Sequence, residues 1–242
     1  MSISANLAAR IDELRRVLAR AALEHAPCAF ASSLSAEDMV LSDLILRHRL
    51  PIEIFTLDTG RLHADTLALI DAIHKRYGYE MKVYRPKPEA VADYVENHGL
   101  DGFYRDPELR KLCCAIRKVE PLERALKGKG SWITGQRREQ SATRGELPVQ
   151  ERDRARGIEK FNPLADWSES DIWAYVHIHG LPYNRLHDQG YRSIGCAPCS
   201  RPVLPDESVR AGRWWWEARS QSECGLHVGA DGRFMQTAEL EE

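Results

Sequence analysis

Two cysteine pairs place the strongest condition on how this chain can fold. Cys113 and Cys114 are adjacent in KLCCAIRKVEPL, and Cys196 and Cys199 form a CxxC in SIGCAPCSRPV. Four thiolates from two distant segments make a tetrahedral ligand set for a soft metal centre. Zinc sites space their ligands by two to four residues, whereas two neighbouring thiolates on one centre demand a strained backbone. Other readings stay open on spacing alone. Cys113 and Cys114 could be small helix-packing residues, and a CxxC also marks zinc ribbons and redox pairs. Cys224 lies near the C-terminus in SECGLHVGADGR, where it is either an inert thiol or a nucleophile. Cys28, in the apolar run CAFA, reads as a small buried residue.

The 242 residues are enough for one α/β domain with a tail. A formal net charge of −2 gives no global attraction for nucleic acid, so anion binding must come from local patches. No apolar run approaches 18 residues, so no membrane span is expected. The N-terminus lacks a signal-peptide apolar block, which points to the cytoplasm. Six cysteines there argue for metal or redox chemistry over structural disulfides.

Hydrophobic periodicity predicts alternating strands and helices. Leu7, Ile11, Leu14 and Leu18 mark a helix over 4–25, and residues 28–31 a buried strand. The turn SSLSAED leads into the helix MVLSDLILRHR. IEIFTL (52–57) reads as a strand ending in Asp58-Thr59-Gly60, followed by the helix LHADTLALIDAIHKRYG and the strand MKVY. Residues 88–127 read mostly as helix with a break at 99–102. SWITG (131–135) is a strand entering a long basic loop, GQRREQSATRGELPVQERDRARG, and IEKFNPL a short last strand. Ser168 caps the helix ESDIWAYVHIHG, with Asp171 completing a capping-box variant. DESVRAGRWWWEARS reads as helix. The alternation predicts a doubly wound, mostly parallel α/β sheet. The division expected is 1–205 for nucleotide and cluster binding, and 206–242 for a C-terminal helix and a flexible tail carrying Cys224.

Three stretches suit an anionic nucleotide. Ser33 and Ser35 sit in a turn before a helix, where backbone amides favour an anion. Asp58, Thr59 and Gly60 lie at the carboxyl end of a strand, the edge where open parallel sheets bind ligands. Arg137, Arg138 and Arg144 follow TGQ, and arginine pairs bidentately with phosphate and sulfate. Each has an ordinary alternative: a serine cap, a common strand-to-helix turn, a solvated basic loop. Arg152, Arg154 and Arg156 read as solvated. Arg210 and Arg213 are three apart and can share a helix face. Trp214, Trp215 and Trp216 cannot all face one side of a helix, so two are expected to pack and one to be exposed.

Taken together, CCAIRKVEPL, GCAPCSRP and ECGLH resemble the assimilatory adenylyl-sulfate (APS) reductases, a likeness running from SSLSAEDMVL to ECGLH. It implies an adenine-nucleotide α-hydrolase-like fold and a 4Fe-4S cluster on Cys113, Cys114, Cys196 and Cys199. It also implies Lys118 between cluster and substrate, and phosphosulfate contacts from Arg210, Arg213 and the arginine loop TGQRREQSATR. Cys224 becomes the nucleophile, with His227 beside it. SSLSAED resembles the SGGxDS pyrophosphate loop of ATP pyrophosphatases but replaces its glycines, which argues against ATP cleavage. The implied reaction is reduction of APS to sulfite and AMP through S-sulfocysteine on Cys224. The implied reductant is an external thioredoxin, because no CxxC remains free and the sequence stops soon after Cys224. The cluster is expected to act electrostatically and structurally, positioning Lys118, rather than to carry electrons. A PAPS reductase shares the tail cysteine and fold but typically lacks the cysteine pairs. An ATP-using sulfurylase or tRNA-modifying enzyme would share the platform. From another class, a zinc-bound redox sensor or RNA-binding protein would use the thiols or the basic loop. A homo-oligomer is compatible with the sequence, which does not specify the oligomeric state.

Overall fold

Strand β1 (Cys28–Ser32) lies at the centre of the sheet, between β2 (Ile52–Leu57) and β4 (Ser131–Ile133), and is parallel to both. The computed structural model describes residues 4–141 and 144–217, so Cys224 and His227 lie outside the described residues. β3 (Lys82–Tyr84) continues the parallel sheet beyond β2, and β6 (Ile158–Phe161) beyond β4. With β5 (Gln150–Asp153) at the edge, the order is β3-β2-β1-β4-β6-β5. The chain winds outward through β1, β2 and β3, then returns to start β4 on the other side of β1. The topological switch point therefore falls between β1 and β4, where the two following loops diverge and open a crevice.

The faces of the sheet follow the two-residue period of the strands. Cys28 and Phe30, Ile52 and Ile54, and Ile133 point into the larger core, with α1 (Ala5–Glu24), α2 (Ala36–Arg47), α3 (Ala64–Tyr77) and α7 (Glu169–His179). Ala29, Phe55 and Trp132 point the other way, against Leu122, Ala125 and Leu126 of α6 (Glu120–Leu126). Burial on both faces explains why the central strands read as continuous apolar runs. Asp43 of α2 is fully buried and accepts from the hydroxyls of Tyr77 (2.6 Å) and Tyr175 (2.7 Å) and from Arg47 (2.9 Å). This one carboxylate ties α2 to α3 and α7.

The anticipated capping box forms: the Ser168 hydroxyl accepts from Asp171 N–H, and Asp171 accepts from Ser168 N–H at 3.0 Å. The segment 88–127 is helical but interrupted. It comprises α4 (Pro88–His98), a 3-10 turn at Gly102–Tyr104, α5 (Pro107–Cys114), a π-helical turn at Ala115–Val119, and α6. Pro121 accounts for the irregular turn. It has no N–H to give to the carbonyl four residues back, and a π turn re-registers the helix around the missing bond.

The basic loop is not irregular throughout, because Gln150–Asp153 forms β5, an antiparallel edge strand on β6. An edge strand has one partner and tolerates the polar run QERD. Arg156 there is not simply solvated. It is held by Asp153 (2.8 Å) and Glu123 (2.8 Å) and lies over Trp132. Of the helix expected over 206–220, the described part, 206–217, forms turns and no helix. Trp214 takes a φ of +45°, Gly212 lets the chain pass close to the Arg201 carbonyl, and Arg213 bridges Ser200. As anticipated for the three tryptophans, Trp214 is buried, Trp216 half-buried and Trp215 exposed.

Candidate active site

The crevice at the switch point is a cleft of about 240 Å³. Its floor is the end of β1 with the following serines, and the end of β4 with Thr134, Gly135 and Gln136. Its other walls come from Thr59, Lys118, the segment before the CxxC, and Arg210, Arg213 and Trp214. Gly135 is required by a close approach: a Cβ there would overlap Asp38 Oδ1.

The serine turn is engaged internally. Ser33 N–H and Oγ both donate to Asp38 Oδ2 at 2.6 Å. Burial pushes the Asp38 carboxyl up to about 7, with neighbouring Glu37 adding to the effect and the Ser33 and Ser35 hydrogen bonds opposing it. Glu37 moves the other way. Burial would raise it, but the Arg137 guanidinium at 3.0 Å and a hydrogen bond from Gln140 hold it below the usual carboxylate range.

The arginine loop divides. Arg137 is buried, bonded to Glu37, Glu139 and the Trp167 carbonyl, and does not line the cleft. Arg138 turns away to Asp166 and to the Leu147 carbonyl. Arg144 does line the cleft. The expected set of three substrate-facing arginines is thus one at the surface of the cleft and two that brace the loop. Burying Arg137 demanded a carboxylate partner, and Glu37 supplies it.

The 58–60 turn divides too. Asp58 accepts from Gly60 N–H (2.9 Å) and pairs with Arg85 (3.0 Å), so it shapes the turn. Thr59 lines the cleft and lies 3.2 Å from Cys196 Sγ. Its carbonyl accepts from buried Arg117 (2.8 Å), a residue with no distinctive sequence signal beyond its place beside Lys118. The CxxC segment docks on this turn, with Cys196 bridging Leu62 and Ala197 N–H donating to the Arg61 carbonyl (2.7 Å).

The fold does bring the distant cysteines together. Cys113, Cys196 and Cys199 share one apolar cluster with Phe103 and Trp214, and Cys114, next to Cys113 in the chain, is buried. All four are free thiols. Burial pushes Cys199 up to about 11; Cys196 and Cys113 add to this, and Lys118 and Arg213 oppose it. Cys113 is raised by burial in the same way. Among the described residues no three His, Cys, Asp or Glu side chains converge on one ion position. A tetrahedral zinc ion needs donors around a point. A cubane cluster needs one thiolate at each of four separate corners. The four free thiols, with Lys118 and Arg213 acting on Cys199, are soft donors of the type that either centre takes.

Lys118 belongs to the π turn, lines the cleft, and acts electrostatically on both Cys113 and Cys199. Arg210 and Arg213 also line the cleft, both with their guanidinium groups over the Trp214 ring, at 5.8 and 4.8 Å. They share a surface because the turn stacks them on tryptophan, not because a helix aligns them. Gly195 leaves room for Arg213, whose guanidinium a Cβ would strike.

A family model described as the phosphoadenosine phosphosulfate reductase domain matches residues 27–202. The chain belongs to this family. The adenosine 5'-phosphosulfate reductase of Burkholderia cepacia is 56% identical over 227 residues, spanning 94% of this chain and 91% of that one. The enzyme of the same name from Allochromatium vinosum is 59% identical over 198 residues, spanning 82% and 77%. Among solved structures, the phosphoadenylyl-sulfate reductase of Candida auris, a phosphate complex, superposes with a TM-score of 0.67 at 28% identity, covering 84% of this chain and 99% of that one. Candida glabrata FMN adenylyltransferase, at 12% identity and a TM-score of 0.57, shares the fold across 96% of this chain and 84% of its own. Membership of the reductase family accounts for the doubly wound sheet. The switch-point cleft and the adjoining thiols are built from this chain's own residues.

Proposed function

We propose that this chain reduces adenosine 5'-phosphosulfate to sulfite and AMP, as an enzyme of sulfate assimilation in the cytoplasm. One observation carries the reading: Lys118, Cys196, Arg210 and Arg213 line the same cleft as the nucleotide-type loops at the switch point. A cation-lined end beside buried thiols suits a phosphosulfate, and the strand ends suit the nucleoside. The names of the Burkholderia and Allochromatium relatives support the same substrate.

In this reading Arg144, Arg210, Arg213 and Lys118 hold the phosphosulfate, and Arg137 and Arg138 keep the arginine loop in shape. Cys113, Cys114, Cys196 and Cys199 hold a 4Fe-4S cluster, which supplies a fixed electrostatic field and a rigid support for Lys118. The Cys224 thiolate attacks the sulfate sulfur. The bond from sulfur to the phosphate oxygen breaks, AMP leaves, and S-sulfocysteine forms on Cys224, with His227, three residues on in the sequence, as the weakest member of the catalytic set. A thioredoxin-type dithiol then attacks Cys224 Sγ and releases sulfite. Its second thiol resolves the mixed disulfide, so the dithiol is oxidised and Cys224 is restored. No helix among the described residues is long and apolar enough to cross a membrane.

The test is anaerobic turnover with APS and with PAPS, using thioredoxin as reductant, alongside Cys224→Ser. Sulfite formed much faster from APS, and lost in the variant, is the expected result. Preference for PAPS would keep the chemistry and overturn the substrate. No sulfite from either, with zinc bound in place of iron, would favour a zinc-binding or RNA-binding role.

A further inference from the structure

His187 borders the cleft but has no part in the chemistry of the phosphosulfate. It sits in the 3-10 turn Arg185–Gln189. Asn184 builds that turn: its Oδ1 accepts from Leu186 N–H (3.1 Å), and its amide donates to Thr66 Oγ1 (2.8 Å) at the start of α3. The imidazole packs against Trp173 in a T-shaped arrangement, with centroids 5.1 Å apart at 85°. The ring is therefore fixed in place from two elements.

Its Nε2 is buried without a hydrogen-bond partner among the described residues. The Tyr191 backbone acts on the ring in the sense that favours its protonated form, as a carbonyl facing a ring N–H would. The donating nitrogen is then Nδ1. Burial holds the ring neutral despite Glu37, Glu169 and Asp188 nearby. A neutral ring with its proton on Nδ1 has a lone pair on Nε2. A second acceptor in the same cleft is in the same condition. Gln136 is only 7% exposed, and its Oε1 has no partner among the described residues. Orphaned buried acceptors cost free energy, and a ligand rich in donors removes that cost.

We propose that His187 is a substrate-binding residue whose Nε2 accepts a hydrogen bond from an O–H or N–H of the nucleoside, with Gln136 as a second acceptor in the same cleft. The inference rests on the proposed nucleotide-binding function and adds to it a group that reads the nucleoside rather than the phosphosulfate. The ribose hydroxyls and the adenine amine carry the donors that fit.

Calorimetric titration of the isolated holoenzyme with AMP, 2'-deoxy-AMP, 3'-deoxy-AMP and purine riboside 5'-monophosphate separates these donors. Wild type should bind one of the three analogues about five- to tenfold more weakly than AMP, the worth of one net hydrogen bond. His187→Asn keeps a donor at the Nδ1 position and deletes Nε2. It should bind AMP more weakly by a similar factor and lose the preference over that analogue. His187→Gln, which restores an acceptor at the Nε2 position, should recover part of it. His187→Phe keeps the ring against Trp173 and replaces the Asn variant if that one does not fold. Full preference retained in the variant lacking Nε2, or equal binding of all four nucleotides by wild type, overturns the inference. Wild type that binds no AMP at all removes the nucleotide reading itself.

Discussion

Arg110 and Glu217 form an ion pair at 2.6 Å with side chains only 1% and 2% exposed. Arg110 belongs to α5, the helix that carries Cys113 and Cys114. Glu217 stands seven residues before Cys224 and just after the three tryptophans. The Arg110 guanidinium also lies over Trp214 at 4.6 Å, the ring that supports Arg210 and Arg213. One buried contact therefore links the cysteine helix, the cleft arginines and the segment leading to Cys224. Taking either charge away leaves the other stranded in a dry site. Glu217→Ala or Arg110→Ala should cost about 3–5 kcal/mol in urea unfolding. Replacing both together by Leu and Met should recover much of that loss. Equal stability of the single variants and wild type would show that the pair is not buried in solution.

Gly135→Ala should damage the cleft through Asp38. The added methyl group overlaps Asp38 Oδ1 and presses on Glu37 Cβ. Moving the Asp38 carboxylate breaks its two bonds from Ser33, so a loss of about 1–3 kcal/mol in stability is expected, with weaker AMP binding. Unchanged AMP affinity in calorimetry would mean that the β1 and β4 loops do not form the nucleotide floor.

Asp38 should also leave a mark on the pH dependence of folding. Its folded value is raised from 3.8 to about 7. Between those values the folded chain keeps a proton that the unfolded chain has released, so this group's contribution to stability falls as pH rises through the window. The slope is at most about 1.4 kcal/mol per pH unit. Asp38→Asn removes the titration, so its stability relative to wild type should rise with pH across the same window. Urea midpoints at several pH values measure this. A constant difference would place the Asp38 carboxyl at its ordinary value.

The cysteines should separate by what they hold. Serine at position 113, 114, 196 or 199 should lower bound iron and acid-labile sulfide and bleach the visible absorbance. Cys224→Ser should keep both and abolish sulfite formation. Cys28→Ser should change neither, because Cys28 lies in β1 at the far end from the cleft, with burial pushing its thiol up to about 11. Iron retained after loss of Cys113, Cys196 or Cys199 would remove those thiols from the ligand set.

Much of this architecture was legible in the residue pattern. Strands buried on both faces are apolar throughout, and helices covering them carry a 3.6-residue stripe, so β1, β2, α2 and α3 could be read directly. β5 was hidden because an edge strand can be polar. The helix expected over 206–220 is absent from its described part, 206–217, because local propensity ignores Gly212 and a tryptophan held at positive φ by packing around it. Within the site, Thr59 and Arg144 could be picked out from chemical type and position, whereas Lys118 and the role of Arg210 and Arg213 came from the family resemblance. His187 and Arg117 were not, since an isolated histidine or arginine has no spacing signal.

The alternation of the central strands and helices, and the supply of thiols and cationic residues, are properties of the sequence alone, because periodicity and side-chain chemistry are local. Which arginines reach the cleft was decided by the tertiary structure. Arg137 and Arg144 are the same residue type in the same loop, yet one is consumed by Glu37 in the interior and the other lines the cleft. The meeting of Cys113 with Cys196 and Cys199 was decided there too. It depends on the sheet returning across its switch point and on the π turn beside Pro121, and neither can be read from the spacing of cysteines.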